Sequence, residues 1–153
     1  MNTSKAWQSP IRIVLATLLL LAAPALMAQQ PSVFGEDGLA IRGYDPVAYF
    51  TLGEATPGSD QFEAQWNGAT WRFSSAEHRE RFVADPAAYA PQYGGYCAWA
   101  VSRGSTASID PHAWTIHDGA LYLNYNRSIH QRWQRDIPGN IARGDANWPG
   151  LLE

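Results

Sequence analysis

Two stretches of alternating apolar and polar residues, each interrupted by a turn dipeptide, dominate the pattern along the chain. In the first, apolar side chains recur at every second position over 62–73, on both sides of Asn67-Gly68. In the second, the apolar segments 114–116 and 121–125 flank Asp118-Gly119. Alternation is typical of strands with one buried face, and both dipeptides tolerate the positive φ of tight turns. The sequence therefore predicts two β-hairpins.

A helix is predicted after each hairpin. Ser74 followed by Glu77 fits a capping box, in which each side chain bonds an exposed backbone donor. The helix is expected to end near residue 84, with Phe82 and Val83 facing inward. The remaining predicted elements are a short strand over 47–50 and helices over 85–91, 96–103, 128–136 and from 137 to about 148.

The two halves of the chain can be superimposed at an offset of 51 residues. Asn67-Gly68 then falls on Asp118-Gly119, and Arg81-Phe82 falls on Arg132-Trp133. Few positions are identical, so the pattern fits either a structural repeat or two unrelated hairpin–helix units. Both alternatives predict the same fold class, α+β, with a small antiparallel sheet built from two β-hairpin–helix units and covered by short helices.

The N-terminus has the layout of a secretory signal peptide. Two basic residues precede an apolar run over 13–23, and small residues follow it. A membrane-spanning helix needs about 20 apolar residues, whereas Pro24 interrupts this run early. Cleavage is expected after Ala28, with Ala25 as second choice, which leaves no stable membrane anchor and a periplasmic or secreted protein. The predicted regions are a signal peptide over 1–28, a flexible leader over 29–38 and a domain over 39–150.

Composition and charge exclude two classes of protein. The chain is 46% hydrophobic and 12% aromatic, which is incompatible with a disordered protein. Of the 11 basic residues, Lys5 and Arg12 precede residue 29, and the nine that remain are all arginine. They stand against 14 carboxylates, a net charge of −5. Nucleic acid is therefore not expected as a partner, because its binding requires a basic surface.

The only cysteine, Cys97, is the most informative single residue for function. An exported protein with one thiol can form no internal disulfide, so the thiol is buried, bound or paired with another chain. Gly94 and Gly95 precede a short predicted helix, and free backbone N–H groups there would lower the thiol pKa. The alternative is a small buried apolar residue. Large apolar neighbours favour burial of Cys97 and no covalent dimer.

Several segments share one resemblance, beginning with Gly-Tyr-Asp-Pro-Val-Ala-Tyr-Phe over 43–50 and Tyr-Gly-Gly-Tyr-Cys over 93–97. With 67–74, 84–86, 118–124 and Trp148-Pro149, they resemble the YHS domain family, specifically its short exported bacterial members. The resemblance spans most of 39–150. Some YHS-like and TRASH-type domains occur in heavy-metal handling proteins, where two thiolates are separated by three residues. Ser74 and His78 stand at the corresponding positions here.

These observations lead to one principal hypothesis and two alternatives. The principal hypothesis is a non-enzymatic module that binds a small ligand or a soft transition metal such as copper, since no catalytic signature motif occurs and no catalytic residue is assigned. The alternatives are a thiol-dependent enzyme or redox protein using Cys97, and a structural domain that binds an unidentified protein partner. The candidate ligand-binding residues are Tyr44, Asp45, Tyr96 and Cys97, and the candidate metal ligands are Cys97, His78 and His112.

Overall fold

The computed structural model describes residues 29–153, and the predicted signal peptide lies outside them. These residues form a mixed fold of helices and strands, which confirms the α+β class. Within 29–153, no helix has both the length and the apolar character needed to cross a bilayer. The strands are β1 (Gly35–Glu36), β2 (Leu39–Ala40), β3 (Ser59–Trp66), β4 (Ala69–Phe73), β5 (Asp110–His117) and β6 (Ala120–Asn124). The helices are α1 (Ala48–Thr51), α2 (Ala76–Ala84), α3 (Pro86–Tyr89), α4 (Ala98–Ser102), α5 (Arg127–Gln134) and α6 (Ile137–Asn147).

Both predicted hairpins are present. β3 pairs antiparallel with β4 through Asn67 and Gly68, whose φ angles are 51° and 79°. β5 pairs antiparallel with β6 through Asp118 and Gly119, whose φ angles are 48° and 76°. Positive φ at both central residues matches the twist of the flanking strands, which is why these dipeptides are favoured.

The two hairpins belong to separate sheets, which differs from the single small sheet expected. The first sheet has the order β1-β2-β4-β3, and β2 runs parallel to β4 with Leu39 opposite Thr70. The second sheet contains only β5 and β6. The N-terminal segment supplies the two extra strands, β1 and β2. This segment is held against the core, because Val33 and Phe34 are buried and the Phe34 N–H donates to the Gly94 carbonyl oxygen at 2.8 Å.

The two hairpin–helix units are a structural repeat at the 51-residue offset. β3 maps onto β5 and β4 maps onto β6 residue for residue. Both hairpins also carry the same irregularity, between Ser59 and Glu63 in the first and between Asp110 and Trp114 in the second. A bulge bends the strand locally, and related structures keep it at the same position. The alternative of two unrelated units therefore does not hold.

Core packing repeats as well. The Trp71 and Phe82 ring centroids lie 5.1 Å apart at an interplanar angle of 34°. Tyr122 and Trp133, the equivalent pair, also lie 5.1 Å apart at 34°. Each pair joins the second strand of a hairpin to the helix that follows, so the same aromatic contact packs helix on hairpin in both units.

The segment predicted as a strand over 47–50 is instead part of α1. The Asp45 side chain accepts hydrogen bonds from the N–H groups of Val47 and Ala48 at 2.9 and 3.2 Å, which satisfies donors at the start of the helix. A short apolar run has no periodicity that separates a strand from a buried helical turn. Here the local side-chain cap decided the conformation.

The start of α2 also differs from the prediction. Its N-cap is Ser75, which accepts a hydrogen bond from the His78 N–H at 3.2 Å, while Ser74 bonds elsewhere. Phe82 faces the core as expected, but Val83 is 61% exposed. The helical rotation places Val83 about 100° from Phe82, so only one of the two adjacent residues can face inward.

Phe82→Ala should lower the free energy of unfolding by about 3–5 kcal/mol, because it removes a fully buried ring that packs against Trp66, Trp71 and Phe73. The neighbouring Val83→Ala is the control and should change it by no more than about 0.5 kcal/mol. Urea denaturation followed by tryptophan fluorescence measures both. Equal losses for the two variants would contradict this assignment of the helix faces.

Candidate functional site

Asp45 is a buried carboxylate that joins three elements. The residue is 0% exposed, and its Oδ1 accepts hydrogen bonds from the backbone of α1, as described above. Its Oδ2 accepts hydrogen bonds from the Ser74 N–H at 2.8 Å and from the Ser74 hydroxyl at 2.7 Å. The same oxygen lies 2.5 Å from His78 Nδ1. Asp45 therefore ties α1 to the end of β4 and to α2.

His78 connects this carboxylate to an exposed hydroxyl. Its Nε2 lies 3.0 Å from Thr51 Oγ1, so hydroxyl, imidazole and carboxylate form a chain. Such a chain can pass a proton from a hydroxyl to an imidazole. However, the Thr51 hydroxyl also donates to the Val47 carbonyl oxygen at 3.2 Å, as threonine commonly does within a helix. We therefore interpret the chain of Thr51, His78 and Asp45 as structural, because it holds both ends of α1 in place.

Cys97 is 1% exposed, which confirms the prediction of burial. Its thiol donates to Asn124 Oδ1, with the sulfur 3.7 Å from that oxygen. Burial raises the pKa of the Cys97 thiol, and hydrogen bonds from the backbone N–H groups of Ala100, Tyr125 and Trp99 lower it by less. The expectation of a lowered pKa was therefore wrong, because desolvation outweighs the backbone donors.

The tripeptide that contains Cys97 resembles the one that contains Asp45. Gly-Tyr-Asp over 43–45 is repeated as Gly-Tyr-Cys over 95–97, at an offset of 52. Each tripeptide precedes a short helix. The N–H groups of Val47, Ala48 and Ser74 donate to the Asp45 carboxylate. In the second half the Trp99 N–H donates instead to Asn124 Oδ1, which also accepts from the Cys97 thiol.

The backbone of the two tripeptides is also held in the same way. The Asp45 N–H donates to the Thr56 carbonyl oxygen at 2.9 Å, and the Cys97 N–H donates to the Ala107 carbonyl oxygen at 3.0 Å. The structural repeat therefore extends to the turns before α1 and α4. The repeated tripeptide was visible in the sequence, but its offset differs by one residue from that of the hairpins, which concealed it.

The side chains of Tyr44 and His112 contact each other. Their rings are T-shaped with centroids 5.7 Å apart, and the Tyr44 hydroxyl lies 3.5 Å from His112 Nε2. Beside them is a cavity of about 390 Å³, where burial lowers the pKa of His130. This cavity is lined by Asp110, His112, Ala113, Arg127 and His130.

Tyr96 anchors the N-terminal segment. Its hydroxyl donates to the Pro31 carbonyl oxygen at 2.9 Å, and its ring packs against Phe34 and Trp148. Burial raises the pKa of the Tyr96 phenol. Of the four predicted ligand-binding residues, Asp45 and Cys97 thus occupy equivalent positions in the repeat, whereas the two tyrosines make contacts elsewhere.

The three predicted metal ligands have different hydrogen-bond partners. His78 contacts Asp45, while Cys97 contacts Asn124 and His112 contacts Tyr44. Across residues 29–153, no group of three or more His, Cys, Asp or Glu side chains is arranged to hold a metal ion. Metal binding through Cys97 stays a prediction and would require donors from outside this set.

Sequence reasoning missed a basic cleft, which we call the arginine cleft. Its volume is about 540 Å³. The Arg103 guanidinium lies over the Trp99 ring, 4.2 Å from its centroid. Arg132 and Arg135, three positions apart, were the only local signal of the cleft. Its lining residues are Trp99, Arg103, Arg132, Arg135, Asp136, Asn140 and Arg143.

Comparison with known proteins gives no match to any family model, curated protein or solved structure. The resemblance to the YHS domain family therefore remains a prediction from the sequence. Function has to be argued from the side chains described above.

Asp45→Ala should lower the free energy of unfolding by about 3–5 kcal/mol, because it leaves His78 and three backbone donors without their acceptor. Asp85→Ala is the matched control, since the exposed Asp85 side chain makes no capping hydrogen bond. Denaturant titration measures both variants. A loss for Asp45→Ala no greater than that of the control would show that this carboxylate does not hold the fold together.

Proposed function

We propose that the protein is an exported, YHS-like, non-enzymatic binding protein whose ligand is a small anion with two or more negative charges. The ligand binds in the arginine cleft. One observation carries the proposal, namely that four guanidinium groups line a single cleft against one carboxylate.

The distribution of charge supports a small ligand. The cleft holds four arginines and Asp136, while the other residues of 29–153 hold five arginines and 13 carboxylates. An extended polyanion such as a nucleic acid or an anionic membrane would meet this acidic remainder and be repelled. A compact anion meets only the positive cleft, towards which the local field directs it.

Part of the cleft is rigid before any ligand arrives. Asn140 is 1% exposed, and its Nδ2 donates to the Trp133 carbonyl oxygen at 2.9 Å. Its Oδ1 accepts from Arg143 Nη2 at 2.8 Å, and Asp136 Oδ2 accepts from the same nitrogen at 3.2 Å. A guanidinium that is already positioned loses less conformational entropy when it binds an anion.

Helix ends alone do not account for the four arginines. Arg103 follows α4 and Arg135 follows α5, where the helix carbonyl groups favour cations. Arg132 and Arg143 lie within α5 and α6 and still line the same cleft. Guanidinium groups bind carboxylate and phosphate oxygens through paired hydrogen bonds, so either group suits the ligand. The volume of the cleft lies within the usual range for small-molecule sites.

The wild-type protein should bind pyrophosphate or citrate in isothermal titration calorimetry, with an affinity that falls as salt is added. The double variant Arg132→Gln/Arg143→Gln should bind at least about tenfold more weakly, because each charge-assisted hydrogen bond contributes roughly 1.5–3 kcal/mol. Arg79→Gln/Arg81→Gln on α2 removes the same charge outside the cleft and should leave the affinity nearly unchanged. Absence of binding to the wild type, or equal loss in both double variants, would contradict the proposal.

A soft metal ion bound by Cys97 is the competing hypothesis from the sequence. Titration of the wild type and of Cys97→Ser with Cu(I) separates the two. Binding that requires Cys97 and is unaffected by the cleft variant would favour the metal hypothesis. Anion binding that survives Cys97→Ser would favour the arginine cleft.

A further inference from the structure

We propose that the second half of the repeat contains a binding site for a small zwitterion, a ligand with one ammonium and one carboxylate group such as a free α-amino acid. The site is the cavity of about 390 Å³ lined by residues of β5 and α5, which we call the α5 pocket. The proposal is independent of anion binding in the arginine cleft, because the two sites share no lining residue.

The α5 pocket contains one guanidinium group and one carboxylate. Asp110 and Arg127 both line it, and within residues 29–153 neither takes part in a salt bridge. His130 adds no charge at neutral pH, because burial lowers its pKa. A ligand that carries both charges can pair with both groups, whereas a simple ion of either sign leaves one of them unmatched. The charges of the pocket therefore favour a zwitterion.

Comparison of the two halves shows what is specific to the second. At the 51-residue offset, Ala113 stands where Phe62 stands in the first half, within the same bulged segment of its hairpin. The Phe62 ring packs against the core, whereas Ala113 has only a methyl group beside the pocket. Arg127 stands where the first half has Ala76. The second half therefore gains space and charge at the same place.

The Asp110 carboxylate offers more than the local backbone requires. Its Oδ1 accepts a hydrogen bond from the His112 N–H at 2.9 Å. Ser59 stands at the equivalent position, and its hydroxyl oxygen accepts the equivalent bond from the Gln61 N–H at 3.1 Å. Because a serine suffices for this turn, the second carboxylate oxygen of Asp110 can accept from a ligand ammonium group.

His130 is positioned before any ligand binds. Its Nε2 lies 2.7 Å from Thr115 Oγ1, a contact that the first half lacks because Ala64 stands where Thr115 does in the second. A side chain that is already held loses less conformational entropy on binding. His130 and Arg127 lie three positions apart on one face of α5. The ligand carboxylate is therefore expected on the α5 side of the pocket, and the ammonium group beside Asp110 on the β5 side.

The first test titrates the isotope-labelled wild-type protein with L-alanine, L-serine and L-glutamine, and follows backbone amide resonances by NMR. At least one amino acid should bind and shift the resonances of Ala113 and Arg127. Its two analogues that lack either the ammonium or the carboxylate group should bind at least about tenfold more weakly, because each loses one charge-assisted interaction. For L-alanine these analogues are propionate and ethylamine.

Two variants copy the first half of the repeat and so keep its backbone interactions. Asp110→Ser and Arg127→Ala should each weaken amino-acid binding at least about tenfold. The cleft variant Arg132→Gln/Arg143→Gln is the control and should bind the amino acid as the wild type does. Conversely, Asp110→Ser should leave pyrophosphate binding unchanged, which separates a failure of this proposal from a failure of the arginine cleft.

Three results would overturn the proposal. The first is that none of the three amino acids binds to the wild type. The second is that propionate binds as tightly as L-alanine, which would indicate a site for simple anions. Both come from the unaltered protein, so they are decisive even where a variant fails to fold. The third is an unchanged amino-acid affinity in both Asp110→Ser and Arg127→Ala.

Discussion

Each half of this fold depends on a buried side chain held between the start of a short helix and the end of a hairpin. In the first half that side chain is Asp45, which accepts five hydrogen bonds from the backbone of α1, from Ser74 and from His78. A buried carboxylate is tolerated only when such partners replace the lost water. The position of α1 against the hairpin follows from this one requirement.

The second half keeps the same arrangement of short helix and hairpin, but a different side chain lies between them. Cys97 replaces the carboxylate, and at the 51-residue offset Tyr125 and Ile129 stand where Ser74 and His78 stand in the first half. Ile129 packs against the core and offers no proton, so a permanent negative charge there would lack a partner. A neutral thiol, which donates to Asn124 Oδ1, fits that environment.

Local chemistry determined which parts of the fold could be predicted. The hairpins followed from Asn-Gly and Asp-Gly, whose conformational preference acts over four residues. The helix at 48–51 could not be distinguished from a strand, because a short apolar run has no distinguishing periodicity and the Asp45 side chain that caps it is itself held by Ser74, 29 residues away. Adjacent serines left the N-cap of α2 uncertain by one residue. The arginine cleft could not be predicted from the sequence, because Arg103 and Arg143 are brought together only by the packing of α4 against α6.

The most direct test of this account compares the unfolding free energies of Cys97→Asp and Cys97→Leu. Because Ile129 stands where His78 stands in the first half, the account predicts that a carboxylate at position 97 lacks a partner, so Cys97→Asp should be less stable than Cys97→Leu at neutral pH. The folded-state carboxyl pKa should then lie above the ordinary value of about 3.9, and the deficit should shrink as the pH falls towards that value. A Cys97→Asp protein that is as stable as Cys97→Leu at neutral pH would contradict the account.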